Sequence, residues 1–189
     1  MNFNRVVIKV GSALVSPDAQ GCSGKYILAI ARFITQCQQA GKEVILVSSG
    51  SVAAGRGLIA HGSSNPSIPT KQAMASVGQM KMMANWQRFF DVPCSQLLIT
   101  HGDLKDRQRY ISIKNTLRIL LENGVIPIVN ENDTVATEEL KVGDNDNLAA
   151  LVAVVSEADS LFILSDVDGV FEEDPRKNPQ AKLIPVIDK

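Results

Sequence analysis

The sequence lacks an excess of charge of either sign. Its 189 residues include 19 basic and 20 acidic side chains, and the formal net charge at pH 7 is -1. This balance argues against a global positive field of the kind that draws proteins to nucleic acid or to an anionic membrane surface. Any anion that this protein binds must be held by a local site. With 45% hydrophobic and 21% charged residues, the composition is that of a folded globular chain and not of a disordered one.

Long apolar runs are also missing. Stretches such as 148–155 are too short to cross a bilayer, and the polar start at residues 1–5 lacks the apolar core of a signal peptide. We therefore expect a cytoplasmic protein with no membrane partner. The three cysteines, Cys22, Cys37 and Cys94, are odd in number and widely spaced, which predicts reduced thiols and neither a disulfide framework nor a zinc site.

Several catalytic motifs are absent as well. His61 and His101 stand alone without a spaced set of metal ligands, so we name no protein metal ligand, and no Ser-His-Asp arrangement can be read from position. No G-x-x-x-x-G-K-[ST] segment occurs, which argues against a P-loop enzyme. Residues 55–60 match a dinucleotide fingerprint by letter. They lie beyond the end of the second predicted strand and not at the first strand-helix turn, so we discount the match.

Short β-branched runs alternate with amphipathic helical segments along the chain. Predicted strands cover 3–10, 43–48, 94–100, 125–129 and 160–164, and predicted helices cover 23–41, 52–60, 71–90, a segment ending at 124, and 146–158. This alternation predicts an α/β fold, a mostly parallel open sheet with helices on both faces. Residues 130–142 could form a small hairpin, and 166–185 is expected to be a loop-rich tail.

Four polar clusters end predicted strands: residues 9–12, 48–51, 130–133 and 165–166. Ligands of open parallel sheets bind beyond the carboxyl ends of the strands. One polar loop after a strand carries no information, since strands commonly end in polar loops. Four of them, with a lysine, hydroxyls, glycines and carboxamides, favour a site for a small polar anion.

Lys9 is the only charged residue inside the first apolar run. A lysine is almost never buried without a partner, so it must either pair with an anion or reach solvent from an edge strand. Beside Gly11 and Ser12, whose backbone N–H groups can approach a ligand closely, it would suit a phosphoryl group in transfer.

The other clusters also have two interpretations. The loop after the second strand leads into a helix N-terminus, where amides bind anions, or it is an ordinary serine cap. The acids and amides at 143–147 exceed what a cap needs, and a carboxylate there could orient a catalytic lysine. The segment 130–133 offers groups for an amino acid's ammonium, or it is simply a turn.

Taken together, five segments resemble the amino-acid-kinase family: Val7–Ser12, Ser48–Gly55, Asn130–Val135, Lys141–Leu148 and Asp174–Arg176. The Asn-Glu-Asn-Asp and Gly-Asp-Asn-Asp-Asn segments resemble in particular the members that phosphorylate the γ-carboxylate of L-glutamate. The resemblance implies a three-layer sandwich, ATP with Mg²⁺ held mainly through ATP, the first step of proline synthesis, and feedback inhibition by proline. Homo-oligomers are expected from the apolar residues of the long helices.

The resemblance also implies a role for individual residues. Lys9 would contact the transferring phosphoryl group, and Asp146 would hold the catalytic lysines in place. Substrate contacts would come from Ser49, Asp133 and Asn145, with Asp144 of second rank and with Asn130 and Glu131 shaping the glutamate loop. The nucleotide side would be formed by Lys9, Gly11, Ser12, Ser165 and Asp166.

In the family the kinase domain continues past the point where this chain stops, with a second lysine and much of the nucleotide pocket. We therefore expect residues 1–189 to be a single kinase domain that is incomplete at its ATP-binding end and lacks a C-terminal RNA-modification-type domain. Two alternatives remain open: a sister kinase that acts on another carboxylate or on a phosphate, and a glutamate- or proline-binding fragment without catalysis.

Overall fold

The computed structural model describes residues 2–18, 21–62, 65–136 and 144–187. In chain order the strands are β1 (Arg5–Val10), β2 (Glu43–Ser48), β3 (Cys94–Ile99), β4 (Ile126–Glu131), β5 (Ser160–Leu164), β6 (Val170–Phe171) and β7 (Leu183–Ile184). The helices are α1 (Ser12–Val15), α2 (Ile27–Gln39), α3 (Ser51–Gly55), α4 (Ile68–Gln87), α5 (His101–Lys105), α6 (Arg107–Glu122) and α7 (Asp144–Val155).

Within the described residues, five strands form one parallel sheet in the order β3-β4-β2-β1-β5. β1 is an interior strand: Lys9 is level with Val47 of β2 on one side and with Ile163 of β5 on the other. Strands β6 and β7 form a separate antiparallel pair. Because the five strands run the same way, the loops that follow their carboxyl ends meet at one edge of the sheet.

The sheet lies between two layers of helices, as the alternating pattern predicted. One face carries Val6, Ile8 and Leu46, which pack with buried residues of α2 and α4. The other face carries Val7, Ile45 and Val129, which pack with buried residues of α6 and α7. Consecutive strand residues point to opposite faces, so a strand buried on both faces needs the unbroken apolar run that the sequence shows. The prediction of a parallel α/β sheet covered on both sides is confirmed.

Two predicted helix boundaries are wrong. Ser23 does not cap α2: its Oγ accepts a hydrogen bond from the backbone N–H of Lys25 at 3.2 Å, which makes a local turn, and the helix begins at Ile27. The second predicted helix is also shorter than expected, since α3 ends at Gly55. Serine near an apolar run suits a turn as well as a cap, so the sequence alone does not separate the two.

The end of β4 and the tail also differ from prediction. β4 extends through Asn130 and Glu131 because these polar residues lie level with Leu98 and Ile99 of β3. The tail forms the β6-β7 hairpin where only loop was expected. Of the hairpin suggested for 130–142, residues 130–136 form the end of β4 and a turn, and residues 137–142 lie outside the described residues.

Helices α3 and α4 cross at contact distance through two glycines. A Cβ atom added to Gly78 would lie 1.8 Å from the Ser51 carbonyl oxygen, and one added to Gly55 would lie 2.0 Å from the Met74 carbonyl oxygen. Neither position leaves room for any side chain. Gly55 is therefore explained by this helix crossing, which agrees with discounting the nucleotide fingerprint.

In the described part of the chain, Cys22, Cys37 and Cys94 form no disulfide bond. Burial raises the pKa of each, and that of Cys94 to about 11. A thiol with so high a pKa holds little of the reactive thiolate at neutral pH, so these residues are packing groups. Among the described helices, none has the length and apolarity needed to span a membrane.

Candidate active site

A cleft of about 610 Å³ opens at the carboxyl edge of the sheet. The predicted site residues that line it are Lys9, Gly11, Ser12, Ser49, Asn130, Glu131, Asp133, Asn145, Asp146, Ser165 and Asp166. Asp144 begins α7, but its side chain lies outside what the structure describes. The sequence thus located residues that the fold brings into one hollow, while the role of each stays a prediction.

The strand order divides this cleft into two sides. β4 supplies Asn130, the loop after β2 supplies Ser49, and the loop after β4 supplies Asp133. On the other side of Lys9, β5 is followed by Ser165 and Asp166. Neighbouring strands lie about 4.8 Å apart, so Lys9 on β1 stands between the predicted glutamate side and the predicted nucleotide side.

Lys9 is buried near the carboxyl end of β1, an interior strand of the sheet, with only 8% of its surface exposed. Its Nζ atom lies 2.6 Å from Oδ1 of Asp146 in the first turn of α7. The alternative of an edge-strand lysine that reaches solvent is wrong, because β1 has a neighbouring strand on each side. The ion pair explains how the charge is tolerated at this depth and fixes the ammonium group at the cleft.

Asn145, at the start of α7, joins β4 to the loop that follows β2. Its Nδ2 group donates to Ser49 Oγ at 2.6 Å and to Asn130 Oδ1 at 3.0 Å. Capping alone does not account for Asn145 and Asp146, since both side chains bond to strands of the sheet. Asn130 is not part of a turn either: it lies within β4 and is 1% exposed.

Asp133 lies in the loop after β4 and accepts a hydrogen bond from Ser51 Oγ at 2.6 Å. Burial raises the pKa of the Asp133 carboxyl above its ordinary value of 3.8, and the hydrogen bond from Ser51 opposes that rise in part. A half-buried carboxylate of this kind would be stabilised by a cation that enters the cleft.

The raised pKa of Asp133 predicts a stability change with pH. Between the ordinary and the raised pKa the folded state binds more protons than the unfolded one, so this carboxyl lowers the free energy of unfolding as the pH rises. Asp133→Asn cannot ionise and keeps the acceptor for Ser51. Urea unfolding from about pH 4 to about pH 7 should show the variant gaining stability relative to the parent chain. A difference in stability between the two proteins that stays constant over this pH range would contradict the assignment.

Glu131 ends β4 and is 4% exposed. Its Oε2 atom lies 3.8 Å from Nδ1 of His101 at the start of α5. The loop that carries Asp133 follows directly after Glu131, and the loop-shaping role of Glu131 stays a prediction.

One reason given for Gly11 is wrong. Its backbone N–H donates to the Leu164 carbonyl at 3.2 Å, so it joins β1 to β5 and is not available to a ligand. Gly11 still lines the cleft, and a Cβ atom there would lie 3.7 Å from Lys9 Nζ. On the same side Asp166 is exposed and forms an ion pair with Arg176 at 3.0 Å.

Four charged or polar residues of the cleft were missed by sequence reasoning: Ser51, Arg56, Lys71 and Arg176. Ser51 and Arg176 lie in segments that had been singled out. Arg56 and Lys71 gave no signal, because a cation in a helical segment normally marks a solvated face. No group of three or more potential His, Cys, Asp or Glu metal ligands occurs in the described parts of the chain.

These features define the class of protein: a parallel α/β fold with a polar, charged cleft at the carboxyl edge of its sheet. Residues 4–189 match the Amino acid kinase family, and the chain belongs to that family.

Within this family, the chain is similar to curated proteins of one named activity. The glutamate 5-kinase of Idiomarina loihiensis is 56% identical over 188 residues, which are 100% of this chain and 51% of that protein. The glutamate 5-kinase 1 of Pseudoalteromonas translucida is 56% identical over 187 residues, 99% of this chain and 50% of that protein. The chain thus spans about half the length of the curated relatives it matches.

Solved structures share the fold. The UMP kinase from Bacillus anthracis has a TM-score of 0.59 at 16% identity and covers 97% of this chain and 73% of its own. An isopentenyl phosphate kinase, solved as a substrate complex, has a TM-score of 0.61 at 17% identity and covers 96% of this chain and 77% of its own. At these identities the likeness concerns the fold alone.

Proposed function

We propose that this protein phosphorylates the γ-carboxylate of L-glutamate with ATP to give glutamyl 5-phosphate. The observation that carries the proposal is the order of groups along the sheet edge, where the Lys9-Asp146 pair stands between the Asn145-Ser49 pair and the Ser165-Asp166 turn. The names of the 56% identical relatives support the choice of glutamate as the acceptor.

The chemistry fits the groups present. A γ-carboxylate has a pKa of about 4.3, so it is ionised at neutral pH and attacks phosphorus without a general base. One carboxylate oxygen forms the new P–O bond while the bond between the γ-phosphorus and ADP breaks. The site must bring two anions into line and neutralise the charge that moves between them. Lys9 supplies the fixed positive charge for that purpose.

The proposed glutamate side offers complementary groups. The half-buried Asp133 would accept hydrogen bonds from the substrate ammonium, which supplies the cation that this carboxylate lacks. Ser49 and Asn145 would bind the remaining polar groups, with Asn130 and Glu131 holding the loop in shape. Asp144 is proposed as a substrate contact of lesser importance.

On the proposed nucleotide side, Ser12, Ser165 and Asp166 would surround the phosphates of ATP, with Gly11 leaving space beside Lys9. Mg²⁺ accepts few protein ligands and keeps water. In the proposal the ion is carried mainly by the ATP oxygens. When bound, that ion neutralises charge on the phosphates.

The wider context is part of the same proposal. The reaction would be the first step of proline biosynthesis in the cytoplasm, with proline as a feedback inhibitor. Residues 1–189 would supply the glutamate side of a single kinase domain whose nucleotide side needs further residues. Exposed apolar residues on the long helices, such as Met80, Ile111 and Ile119, would allow homo-oligomers to form.

Calorimetry on the chain tests the choice of substrate. We expect L-glutamate to bind, and L-aspartate, N-acetylglutamate and uridylate to bind much more weakly. In a complete kinase domain containing this sequence, hydroxylamine should trap the acyl phosphate as a hydroxamate only when ATP and glutamate are both present. Preference for another acceptor would identify a sister kinase, and glutamate binding without hydroxamate would identify a binding module.

Asp133→Ala should act chiefly on binding. Losing a charged hydrogen-bond acceptor for the ammonium should raise KM for glutamate about 10- to 100-fold, with a much smaller fall in kcat. Steady-state kinetics of the complete domain measure both constants, and the exposed Asp168→Ala provides a control. A fall in kcat with unchanged KM would mean that Asp133 serves the reacting groups and not substrate binding.

A further inference from the structure

A row of hydrogen-bonded carboxamides connects α4 to the cleft. Gln79 of α4 donates from Nε2 to Oε1 of Gln96 on β3 at 3.1 Å. Its own Oε1 accepts from Nδ2 of Asn130 at 2.9 Å, and Oδ1 of Asn130 accepts from Asn145 at 3.0 Å. We define these four side chains, together with Ser49, as the amide row.

The inner members of the amide row are out of solvent. Gln79 is 6% exposed and Asn130 is 1% exposed. A buried carboxamide without partners has a large energetic cost, so each must satisfy its N–H₂ and its C=O through its neighbours. The orientation of one amide in the row thus determines the orientation of the next.

The row has a direction. Each N–H₂ group donates toward Gln96, and Asn145 Nδ2 donates to both Asn130 and Ser49. Two donated bonds use both N–H groups of Asn145, which leaves its carbonyl oxygen as the acceptor for a ligand. Ser49 Oγ accepts from Asn145 and therefore keeps its O–H free to donate. This combination suits a ligand that carries an ammonium beside a carboxylate.

We propose that Gln79 is a positioning residue that holds Asn145 and Ser49 in this orientation through Asn130. With glutamate as the ligand, the inference rests on the proposed function. Gln79 itself lies behind the cleft, on the wall of a smaller hollow of about 130 Å³ that also includes Gln96. It does not line the main cleft, and its effect passes through the amide row.

Gln79→Met tests the proposal because methionine fills similar space without hydrogen-bonding strongly. The N–H₂ group of the buried Asn130 then loses its acceptor, so Gln79 no longer holds the Asn130 Oδ1 toward Asn145. Side-chain amide signals in ¹⁵N spectra of the chain should therefore shift at Asn145, two residues along the row from the substitution. Calorimetry should show glutamate binding about tenfold weaker.

Gln87→Met is the matched control. Gln87 lies on the same helix, and its side chain bonds to Phe90, Val92 and Cys94 at the start of β3. This substitution removes more hydrogen bonds than Gln79→Met but no member of the amide row. A merely structural role for Gln79 predicts that both variants lose stability and that neither moves the Asn145 signals.

The outcomes are distinct. Shifted Asn145 signals in Gln79→Met, with unshifted signals in Gln87→Met, support the proposal, and they do so even if glutamate is not the ligand. Unshifted Asn145 signals in folded Gln79→Met overturn it. If Gln79→Met does not fold, Gln96→Met at the exposed end of the row should still shift the Gln79 and Asn130 amide signals, and no change there overturns the proposal. Failure of glutamate to bind the parent chain would contradict the proposed function alone.

Discussion

Replacing Lys9 with alanine in a complete kinase domain that contains this sequence should lower kcat about 10²- to 10³-fold while KM for glutamate changes little. Asp146 holds Lys9 Nζ at 2.6 Å, near the carboxyl end of the interior strand β1. A positive charge held there acts on the phosphoryl group in the transition state, and such preorganised groups typically contribute a factor of this size. Steady-state kinetics with glutamate and ATP varied separately measure the effect.

Two comparisons make this prediction specific. Asp146→Asn keeps the shape of the side chain but removes the anion that holds Lys9, so kcat should fall less than in Lys9→Ala. Lys25→Ala removes an exposed lysine outside the cleft and should leave kcat unchanged. If Lys9→Ala raised KM for glutamate and left kcat unchanged, Lys9 would serve glutamate binding. The assignment of the glutamate and nucleotide sides of the cleft would then be reversed.

Gly78→Ala should lower the free energy of unfolding by about 3 kcal/mol or more, the upper range for overpacked sites. The added Cβ would lie 1.8 Å from the Ser51 carbonyl oxygen and 2.5 Å from the Gly55 backbone nitrogen. Both neighbours are backbone atoms, so the conflict is relieved only by moving α3 away from α4. Urea unfolding of the chain measures the loss.

Gly78→Ala should also disturb the cleft, because α3 carries Ser51, the hydrogen-bond donor to Asp133. Gly57→Ala is the matched control: a Cβ atom there meets nothing within 4 Å, and we expect a change within about 0.5 kcal/mol. Equal stability of the two variants would show that α3 and α4 do not cross as closely as described.

The sheet could be predicted from the sequence because its signal is local. β2 runs from Glu43 to Ser48 and β5 from Ser160 to Leu164, both as predicted, since short unbroken apolar runs leave few alternatives. The end of β4 could not be predicted in this way. Asn130 and Glu131 are polar, and they belong to the strand only because β3 lies beside them with Leu98 and Ile99.

The candidate site could likewise be predicted only in part. The sequence located Lys9, Ser49 and Asp133 by their positions at or just after the ends of predicted strands, and the fold places them in one cleft. The partners of these groups depend on contacts that no local pattern contains. Asp146 meets Lys9 across 137 positions of the chain, and the Gln79-Asn130 bond joins a helix to a strand 51 positions away. The glycine contact between α3 and α4 is likewise visible only in three dimensions.

The most direct test is the crystal structure of the chain with L-glutamate. We expect the amino acid in the cleft, with its ammonium at Asp133, polar contacts to Ser49 and Asn145, and its γ-carboxylate directed toward Lys9. Glutamate bound outside this cleft, or bound in it with the γ-carboxylate directed away from Lys9, would contradict the proposed reaction.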